Sequence, residues 1–273
     1  MITQPLSDTT FQQLAEFIQE RTGIYIPIAK KYLIENRLYK VIEEHSLTSY
    51  DEYLYMLKYS ANGAELERLF DAITTNETYF FREPMQYDVI IDSLVPKIIQ
   101  ARGGDKTLRV WSAACSSGEE AFTLALLMRE KRPDVRLEII GSDISRKVLS
   151  SAERGVYSSY SVRNVPKPYM MKYFTVNGQD YTLDKNITKS VKFREHNLLT
   201  GRRGADLSGF DLVLCRNVLI YFETKTKQQV VSNLYDSLRH GGYLVIGSSE
   251  SLHNVTRAFR PVTLNKVVLY EKA

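Results

Sequence analysis

A turn of small residues followed by two acids is the part of the sequence best suited to chemistry. The turn runs Ala113-Ala-Cys-Ser-Ser-Gly118, between an apolar strand pattern and a helical pattern that begins at Glu119. Small side chains let a ligand approach the backbone, and the free N–H groups at a helix start can bind it. The pattern therefore predicts a ligand-binding turn here.

The composition of this turn argues against a phosphate ligand. It carries one glycine, Gly118, and lacks the Gly-Lys-Ser/Thr of a nucleotide-binding loop. Glu119 and Glu120 lie in the first helical turn, where a carboxylate repels phosphate but suits a cation such as the sulfonium and amino groups of S-adenosylmethionine. Glutamates at a helix start can also simply complement the helix dipole. The turn alone leaves both interpretations open.

A further acid, Asp143, ends the next predicted strand, Leu137–Asp143. Dinucleotide-binding α/β folds place an acid at about this position to bind ribose hydroxyls. The same residue could cap the helix that follows, and the two roles can coexist. Together, the small-residue turn and Asp143 favour an adenosine ligand that carries no phosphate.

The elements that must position these residues alternate between strand and helix from Thr107 onward. Apolar runs predict strands at Leu108–Ser112, Leu137–Asp143, Phe210–Cys215, Tyr243–Gly247 and Lys266–Tyr270. Amphipathic runs predict helices at Glu119–Glu130, Ser145–Arg154 and Lys225–Arg239, the last ending at Gly241-Gly242. This rhythm predicts an α/β fold with a doubly wound, mostly parallel sheet, whose ligand binds at the carboxyl ends of the strands.

Two parts of the chain depart from that rhythm. Residues 1–73 show only helical periodicity and predict a small all-α domain. Residues 74–273 form the second predicted domain, which includes an interdomain segment, 74–100. An Asn177-Gly178 hairpin signal predicts a small antiparallel insertion at about 157–192. Val191-Lys-Phe-Arg could add a third strand to it or already belong to the main sheet.

Composition limits the classes of protein. The chain has 273 residues, with 7 basic and 11 acidic side chains in residues 1–72 against 29 and 21 in the rest, an excess too small to indicate nucleic-acid binding by itself. We expect no membrane insertion, because no apolar run is long enough, and no signal peptide. Two cysteines indicate reduced thiols and a cytoplasmic location. The four histidines lack metal-ligand spacing, so no metal is expected.

Four longer motifs carry a family resemblance. They are Thr74-Thr-Asn-Glu-Thr-Tyr-Phe-Phe-Arg-Glu83, Val110-Trp-Ser-Ala-Ala-Cys-Ser-Ser-Gly-Glu-Glu120, His196-Asn-Leu-Leu199 and Cys215-Arg-Asn-Val-Leu-Ile-Tyr-Phe222. In this order they resemble the CheR family of chemoreceptor glutamate O-methyltransferases, over nearly the whole chain. One departure is Ala121-Phe122, where the family usually has Pro-Tyr. This difference affects helix start and packing more than chemistry.

The resemblance implies a class I methyltransferase-like fold that uses S-adenosylmethionine and releases S-adenosylhomocysteine. The acceptors would be glutamate side chains on the cytoplasmic helical bundle of a chemoreceptor, methylated during adaptation in chemosensory signalling. It implies a monomer with no nucleic-acid partner. The alternatives are a non-motility chemosensory pathway, a methyltransferase acting on RNA or a small molecule, and a noncatalytic cofactor-binding signalling module.

The resemblance also implies which residues bind the methyl donor. The set is Asn76, Thr78, Arg82, Glu119, Asp143, Asn197, Leu198, Arg216 and Asn217. Within it, Glu119 would lie at the methionyl amino group and Asp143 at the ribose hydroxyls. Asn197 and Leu198 would flank the adenine as a polar contact and an apolar wall.

Two residues are expected to act on the acceptor. Arg82 could hold the incoming carboxylate, and the Tyr221 hydroxyl could orient it. No general base is needed, because a free glutamate has a pKa of about 4.3 and is ionised at neutral pH. In the alternative interpretation, Arg82 forms a solvated ion pair with Glu83 and Tyr221 belongs to the core.

A basic side of the second helix is the candidate surface for docking an acidic receptor bundle. Lys30, Arg37 and Lys40 fall on roughly the same side, seven and then three residues apart. A solvated helix face explains the same pattern equally well, and the helical domain is acidic overall.

Overall fold

Four helices open the fold in the computed structural model, which describes residues 5–60, 62–201 and 207–273. They are α1 (Asp8–Thr22), α2 (Lys31–Glu44), α3 (Tyr50–Tyr59) and α4 (Gly63–Ile73). Ser7 caps α1 by accepting a hydrogen bond from the Thr10 amide, and the helix ends at Gly23 with a φ of 78°. Apolar faces of these helices form a separate core around Leu14, Ile18 and Leu38. This helical unit thus buries its own apolar surface.

A helical connection leads from the helical unit to the sheet. It consists of α5 (Pro84–Val89), a π-helical turn at Ile90–Leu94, and α6 (Val95–Ala101). Its apolar residues, among them Ile91, Leu94 and Ile98, pack in the core on one face of the sheet. The predicted interdomain segment, 74–100, therefore contains part of the sheet's own covering layer.

Ten strands and six further helices make up the rest of the described chain. In chain order they are β1 (Thr107–Ala113), α7 (Glu119–Lys131), β2 (Arg136–Asp143), α8 (Arg146–Arg154), β3 (Val156–Tyr157), α9 (Ser159–Val162), α10 (Lys167–Tyr173), β4 (Phe174–Asn177), β5 (Asp180–Leu183), α11 (Lys185–Thr188), β6 (Val191–Glu195), β7 (Phe210–Cys215), α12 (Thr224–Ser237), β8 (Leu238–Ile246), β9 (Phe259–Leu264) and β10 (Val267–Lys272).

The main sheet has seven strands in the order β6-β2-β1-β7-β8-β10-β9. The pairs from β6 to β8 are parallel, and β10 is antiparallel to both of its neighbours. Alternate residues of one strand enter different cores: Leu212 and Leu214 face one side of the sheet, and Val213 and Cys215 the other. The predicted doubly wound, mostly parallel sheet is confirmed, as are the all-α unit and the small antiparallel sheet, β3-β5-β4.

Val191–Glu195 belongs to the main sheet, where it pairs with β2, which confirms one of the two alternatives for this segment. The third strand of the insertion is Val156–Tyr157. One predicted helix end is wrong. The helix expected to reach Arg239 ends at Ser237, because Leu238 already begins β8 and Gly241-Gly242 lies inside that strand. Strand β9 was not predicted. Every helix in the described ranges is too short or too polar to cross a bilayer.

Candidate functional site

A cleft of about 410 Å³ lies between the helical unit and the carboxyl ends of β1, β2 and β7. This is where an open α/β sheet places its ligand. The predicted residues that line it are Lys30, Arg37, Asn76, Thr78, Arg82, Asp143, Asn197, Leu198, Arg216, Asn217 and Tyr221. Glu119 and Lys40 are not among the described residues of its lining, whereas Glu120 is.

The turn after β1 reaches the cleft with an unusual backbone. Ala114, Ser116 and Gly118 have φ angles of 59°, 51° and 88°, in the left-handed region. At Gly118 a Cβ would lie 2.8 Å from the Phe122 ring and 3.0 Å from Ala152, so helix α7 can start here only from a glycine. Ala114, Cys115 and Ser116 of this turn line the cleft.

Asp143 is fixed by two backbone amides. Its Oδ2 accepts a hydrogen bond from the Ser116 amide (2.9 Å) and its Oδ1 one from the Ser145 amide (3.0 Å). Its side chain is buried, and burial raises the pKa of the carboxyl, although these amides oppose that shift. Ser145, whose hydroxyl accepts from Val148, is the N-cap of α8. Asp143 therefore joins two loops at the edge of the cleft and does not itself cap the helix.

The two acids of the turn occupy different surroundings. Glu120 receives a hydrogen bond from the Ser112 hydroxyl (2.7 Å) and one from Arg216 Nη1 (3.1 Å), and it lines the cleft. Glu119 is 1% exposed, accepts a hydrogen bond from the Ser117 hydroxyl (2.8 Å), and lies outside the lining. Burial raises the pKa of Glu119. Glu120, and not the predicted Glu119, therefore lines the cleft, because successive residues of a helix point in different directions.

Arg216 lies at the centre of a buried ionic network. Its guanidinium donates to Glu120, to the Tyr87 hydroxyl (3.2 Å) and to the backbone oxygen of Arg82 (2.7 Å), and it lies 3.3 Å from Glu83 Oε2. Burial disfavours the charged guanidinium and by itself lowers its pKa. The interactions with Tyr87, Glu120 and Glu83 outweigh this effect and raise the pKa of Arg216. The network fixes the segment after β7 to the connection before α5.

Glu83 pairs with Arg216 and not with its neighbour Arg82. Burial opposes the ionisation of Glu83. Arg216, the backbone amide of Ser248 and the side-chain amide of Asn217 nevertheless lower the pKa of Glu83 below its usual value. Arg82 instead donates to the backbone oxygen of Glu77 (2.9 Å) and lies 5.6 Å from the centre of the Tyr79 ring. The alternative of a solvated Arg82–Glu83 ion pair is therefore excluded.

The helical unit closes the cleft from above. The Tyr25 amide donates to the backbone oxygen of Tyr221 (2.9 Å), and Asn197 Nδ2 donates to the backbone oxygen of Arg21 (2.6 Å). Arg37 donates to the backbone oxygen of Ile73 and to the Thr75 hydroxyl. These contacts hold the helical unit over the strands and help shield the cleft from water.

The three predicted docking residues have different surroundings. Arg37 is half-buried and holds the start of the interdomain segment, so it is not a free surface cation. Lys30 is exposed at the cleft. Lys40 is 84% exposed and lies 3.9 Å from Glu44. The seven-residue spacing predicted that Arg37 lies on a docking face, whereas its long side chain turns inward to the Ile73 backbone oxygen and the Thr75 hydroxyl.

The lining carries charges of both signs. Its acids are Glu77, Glu120 and Asp143, and its basic residues are Lys30, Arg37, Arg82 and Arg216. Glu120 and Asp143 are the carboxylates at the turn after β1 and at the end of β2, where a cationic group of a ligand can lie beside them. Leu198 adds an apolar wall. These residues fit S-adenosylmethionine, which carries positive charge and an adenine ring but no phosphate.

Sequence reasoning missed several participants. Ser112 and Tyr87, which hold Glu120 and Arg216, lie in apolar stretches that read as core. The alternation of apolar and polar residues could mark Ser112 and Tyr87 as buried. It could not identify their hydrogen-bond partners, because these belong to other elements. Tyr25 follows α1 and lines the cleft although no motif includes it.

Comparisons with known proteins match both the helical unit and the sheet-containing part of the chain to one family. The family described as "CheR methyltransferase, SAM binding domain" matches residues 76–268, and "CheR methyltransferase, all-alpha domain" matches residues 9–74. Chemotaxis protein methyltransferase 2 of Vibrio cholerae is 35% identical over 271 residues, covering 98% of this chain and 94% of the relative. Chemotaxis protein methyltransferase 1 of Pseudomonas aeruginosa is 32% identical over 272 residues, covering 97% and 98%.

A solved structure is similar at a much lower level. The magnesium protoporphyrin IX methyltransferase of Synechocystis PCC 6803, with bound S-adenosylmethionine, is 16% identical. The alignment covers 79% of this chain and 86% of that one, with a TM-score of 0.38. The two sequence matches to curated relatives carry the assignment.

Proposed function

Because the chain belongs to the CheR methyltransferase family and is an S-adenosylmethionine-dependent methyltransferase, we propose that it methylates glutamate side chains in the cytoplasmic domains of chemoreceptors. The products are glutamate methyl esters and S-adenosylhomocysteine. One arrangement carries this proposal: the cleft has carboxylates Glu120 and Asp143 in its lining together with Arg82 and Tyr221. The same cleft thus offers anions to a cationic donor and a cation to an anionic acceptor.

The donor-binding roles follow from the lining. Asp143 accepts the ribose hydroxyls through the lone pairs that Ser116 and Ser145 leave available, and Asn197 and Leu198 flank the adenine. Glu120, in place of Glu119, lies at the methionyl amino group. Asn76, Thr78, Arg216 and Asn217 complete the lining around that end. S-adenosylmethionine supplies, when bound, a methyl group already activated by a positive sulfur.

The residues of this chain have three tasks toward the acceptor. Arg82 holds the incoming carboxylate, and the Tyr221 hydroxyl orients it, because both side chains line the cleft. The carboxylate is ionised at neutral pH, with a pKa of about 4.3, so no residue has to remove a proton. Closure by the helical unit excludes water and partly desolvates the carboxylate, which raises its reactivity.

Docking of the receptor is assigned to the exposed cations near the cleft. Lys30 lies at the cleft itself and Lys40 about three turns further along the chain on α2, where an acidic helical bundle can contact them. Arg37 keeps a part in the site as the residue that holds Thr75 and Ile73. Lys30→Glu is expected to raise the KM for receptor without changing the affinity for donor.

Methyl transfer to a purified receptor fragment tests the proposal. Incubation with labelled donor should give base-labile methyl esters on the fragment and none on an RNA of equal length, and Asp143→Ala should abolish the labelling at low donor concentration. Labelled RNA with unlabelled receptor would support the RNA alternative and contradict the proposal. Donor binding with no transfer to receptor fragments would favour the noncatalytic module.

A further inference from the structure

A carboxylate outside the cleft, Glu250, joins the loop after β8 to the loop after β7. Its Oε2 accepts a hydrogen bond from the Asn217 amide (2.8 Å) and another from the Gly247 amide (2.7 Å). Strands β7 and β8 are parallel neighbours, so both loops leave the sheet at the edge that faces the cleft. Glu250 is not among the described residues that line the cleft.

The residue that Glu250 holds has an uncommon backbone conformation. Asn217 has a φ of 59°, in the left-handed region, which asparagine adopts more readily than most residues other than glycine. Its side chain lines the cleft, and its Nδ2 lies 3.4 Å from Glu83 Oε1. The hydrogen bond from the Asn217 backbone amide to Glu250 Oε2 helps to hold this conformation.

The contact between the two loops is close enough to require a glycine. A Cβ at Gly247 would lie 2.7 Å from Asn217 Nδ2, 2.8 Å from Glu250 Oε2 and 3.0 Å from the Asn217 amide nitrogen. Glu83 ties the same loops together, since it accepts a hydrogen bond from the Ser248 amide (3.0 Å). The loop Gly247–Glu250 therefore follows the shape of the Asn217 backbone.

One half of the Glu250 carboxylate has no hydrogen-bonding task among the described residues. Its Oε1 is buried without a partner in that part of the chain, while Oε2 receives both amides. A buried polar atom without a partner costs stability, so Oε1 does not explain a carboxylate here, whereas the two hydrogen bonds to Oε2 do.

We propose that Glu250 is a positioning residue for donor binding, which fixes Asn217, and with it the adjacent Arg216, at the cleft without touching the donor. This inference rests on the proposed function, because it takes Asn217 as a donor contact. It assigns a role to the segment Gly247-Ser-Ser-Glu250, which none of the four motifs includes.

Three substitutions separate positioning from stability. Glu250→Ala removes the acceptor, whereas Glu250→Gln keeps a carbonyl oxygen that can receive both amides. Asp184→Ala is the matched control, because Asp184 accepts the Asn186 amide (2.7 Å) at the start of α11, outside the cleft. Binding of S-adenosylhomocysteine is measured by isothermal titration, and thermal unfolding of each variant is measured alongside it.

We expect Glu250→Ala to weaken S-adenosylhomocysteine binding about tenfold, because the Asn217 and Gly247 amides lose their buried acceptor. Glu250→Gln should stay within about threefold of the wild type. Asp184→Ala should lower the Tm yet leave the Kd unchanged. In turnover assays Glu250→Ala should raise the KM for S-adenosylmethionine, with kcat at saturating donor close to the wild-type value.

Equal binding by wild type and Glu250→Ala would overturn the positioning role while leaving the proposed function intact. Absence of binding by the wild-type protein would overturn the proposed function, and with it this inference. Where Glu250→Ala does not fold, Glu250→Asp replaces it, since the shorter side chain keeps the charge but withdraws the oxygen. Binding by Glu250→Asp at the wild-type level would overturn the inference in the same way.

Discussion

Adjacent glutamates after the small-residue turn have opposite environments. Glu120 forms an ion pair with Arg216 and accepts a hydrogen bond from Ser112 at the cleft. Glu119 is buried behind the turn with a hydroxyl for a partner, and burial raises its pKa. The sequence predicts an acidic pair at this helix start, but it does not tell which carboxylate faces the ligand. That choice depends on Ser112, which lies on β1, and on Arg216, which follows β7.

Replacing each glutamate by glutamine should separate the two roles. Glu120→Gln removes a cleft carboxylate and should weaken S-adenosylmethionine binding by about tenfold or more, because charge-assisted contacts are the strong ones. Glu119→Gln keeps a carbonyl oxygen for the Ser117 hydroxyl and should bind the donor as the wild type does. Isothermal titration of both variants is the measurement. The reverse order of affinities would restore the assignment to Glu119.

The raised pKa of Glu119 also predicts a pH-dependent stability. The folded protein binds this proton more tightly than the unfolded chain, whose carboxyl has an ordinary pKa of 4.5. The stability that the group contributes is thus complete below that value and is lost as pH rises through the folded pKa. Glu119→Gln should therefore be more stable than wild type at neutral pH, and the difference should shrink on acidification. Urea unfolding at about pH 7.5 and about pH 4 measures it, and a constant difference would contradict the assignment.

At the scale of elements, β2 is packed against its neighbours without space for a side chain at Gly141. A Cβ there would lie 2.7 Å from the Phe193 ring and 3.0 Å from the Cys115 sulfur. Phe193 lies on β6, and Cys115 belongs to the turn after β1. The glycine therefore lets the ligand-binding turn and the edge strand pack directly on β2.

Gly141→Ala should lower the free energy of unfolding by about 1–3 kcal/mol, the usual cost of overpacking. Gly63→Ala is its control: the residue starts α4, and a Cβ there has nothing within 4 Å. Alanine at that position should be neutral or slightly stabilising. Urea unfolding of both variants tests the comparison, and equal stabilities would show that β6 shifts to make room.

Much of the element order was predictable, for identifiable reasons. Strands β1, β2 and β7 are apolar runs ended by polar or small residues, so both their existence and their cleft-facing ends followed from the pattern. The end of α12 did not follow from the pattern, because Leu238 and Arg239 continue the helical pattern although both lie in β8, where Leu238 pairs with Phe210. Strand β9, exposed along much of its length, lacks the apolar run that marks the inner strands.

At the scale of the whole molecule, the helical unit and the sheet build one site. Arg37 on α2 reaches the start of the segment that carries Asn76 and Thr78, and Tyr25 is bonded to Tyr221. These contacts connect distant parts of the chain. The spacing of charges on α2 could therefore predict a basic helix face, but it could not predict that the Arg37 side chain turns inward. Arg37 therefore contributes through its hydrogen bonds at the cleft and not through a positive charge at the surface.

Arg37→Ala should weaken S-adenosylhomocysteine binding several-fold, because the segment before Asn76 loses its two fixed hydrogen bonds. Lys40→Ala, on the same helix and 84% exposed on its side chain, is the matched control and should leave that Kd unchanged. Titration of both variants, with receptor methylation measured in parallel, is the test. Unchanged donor affinity with weaker receptor methylation in Arg37→Ala would instead assign Arg37 to receptor docking.

Mass spectrometry of a receptor cytoplasmic fragment, after incubation with the protein and S-adenosylmethionine, tests the central claim most directly. The account predicts a mass increase of one methylene on glutamate side chains, lost on mild base treatment, and strongly reduced when Arg82→Ala or Tyr221→Phe replaces the wild type. The contradicting result is an unmodified fragment, or methylation confined to other side chains, under conditions in which the protein binds the donor.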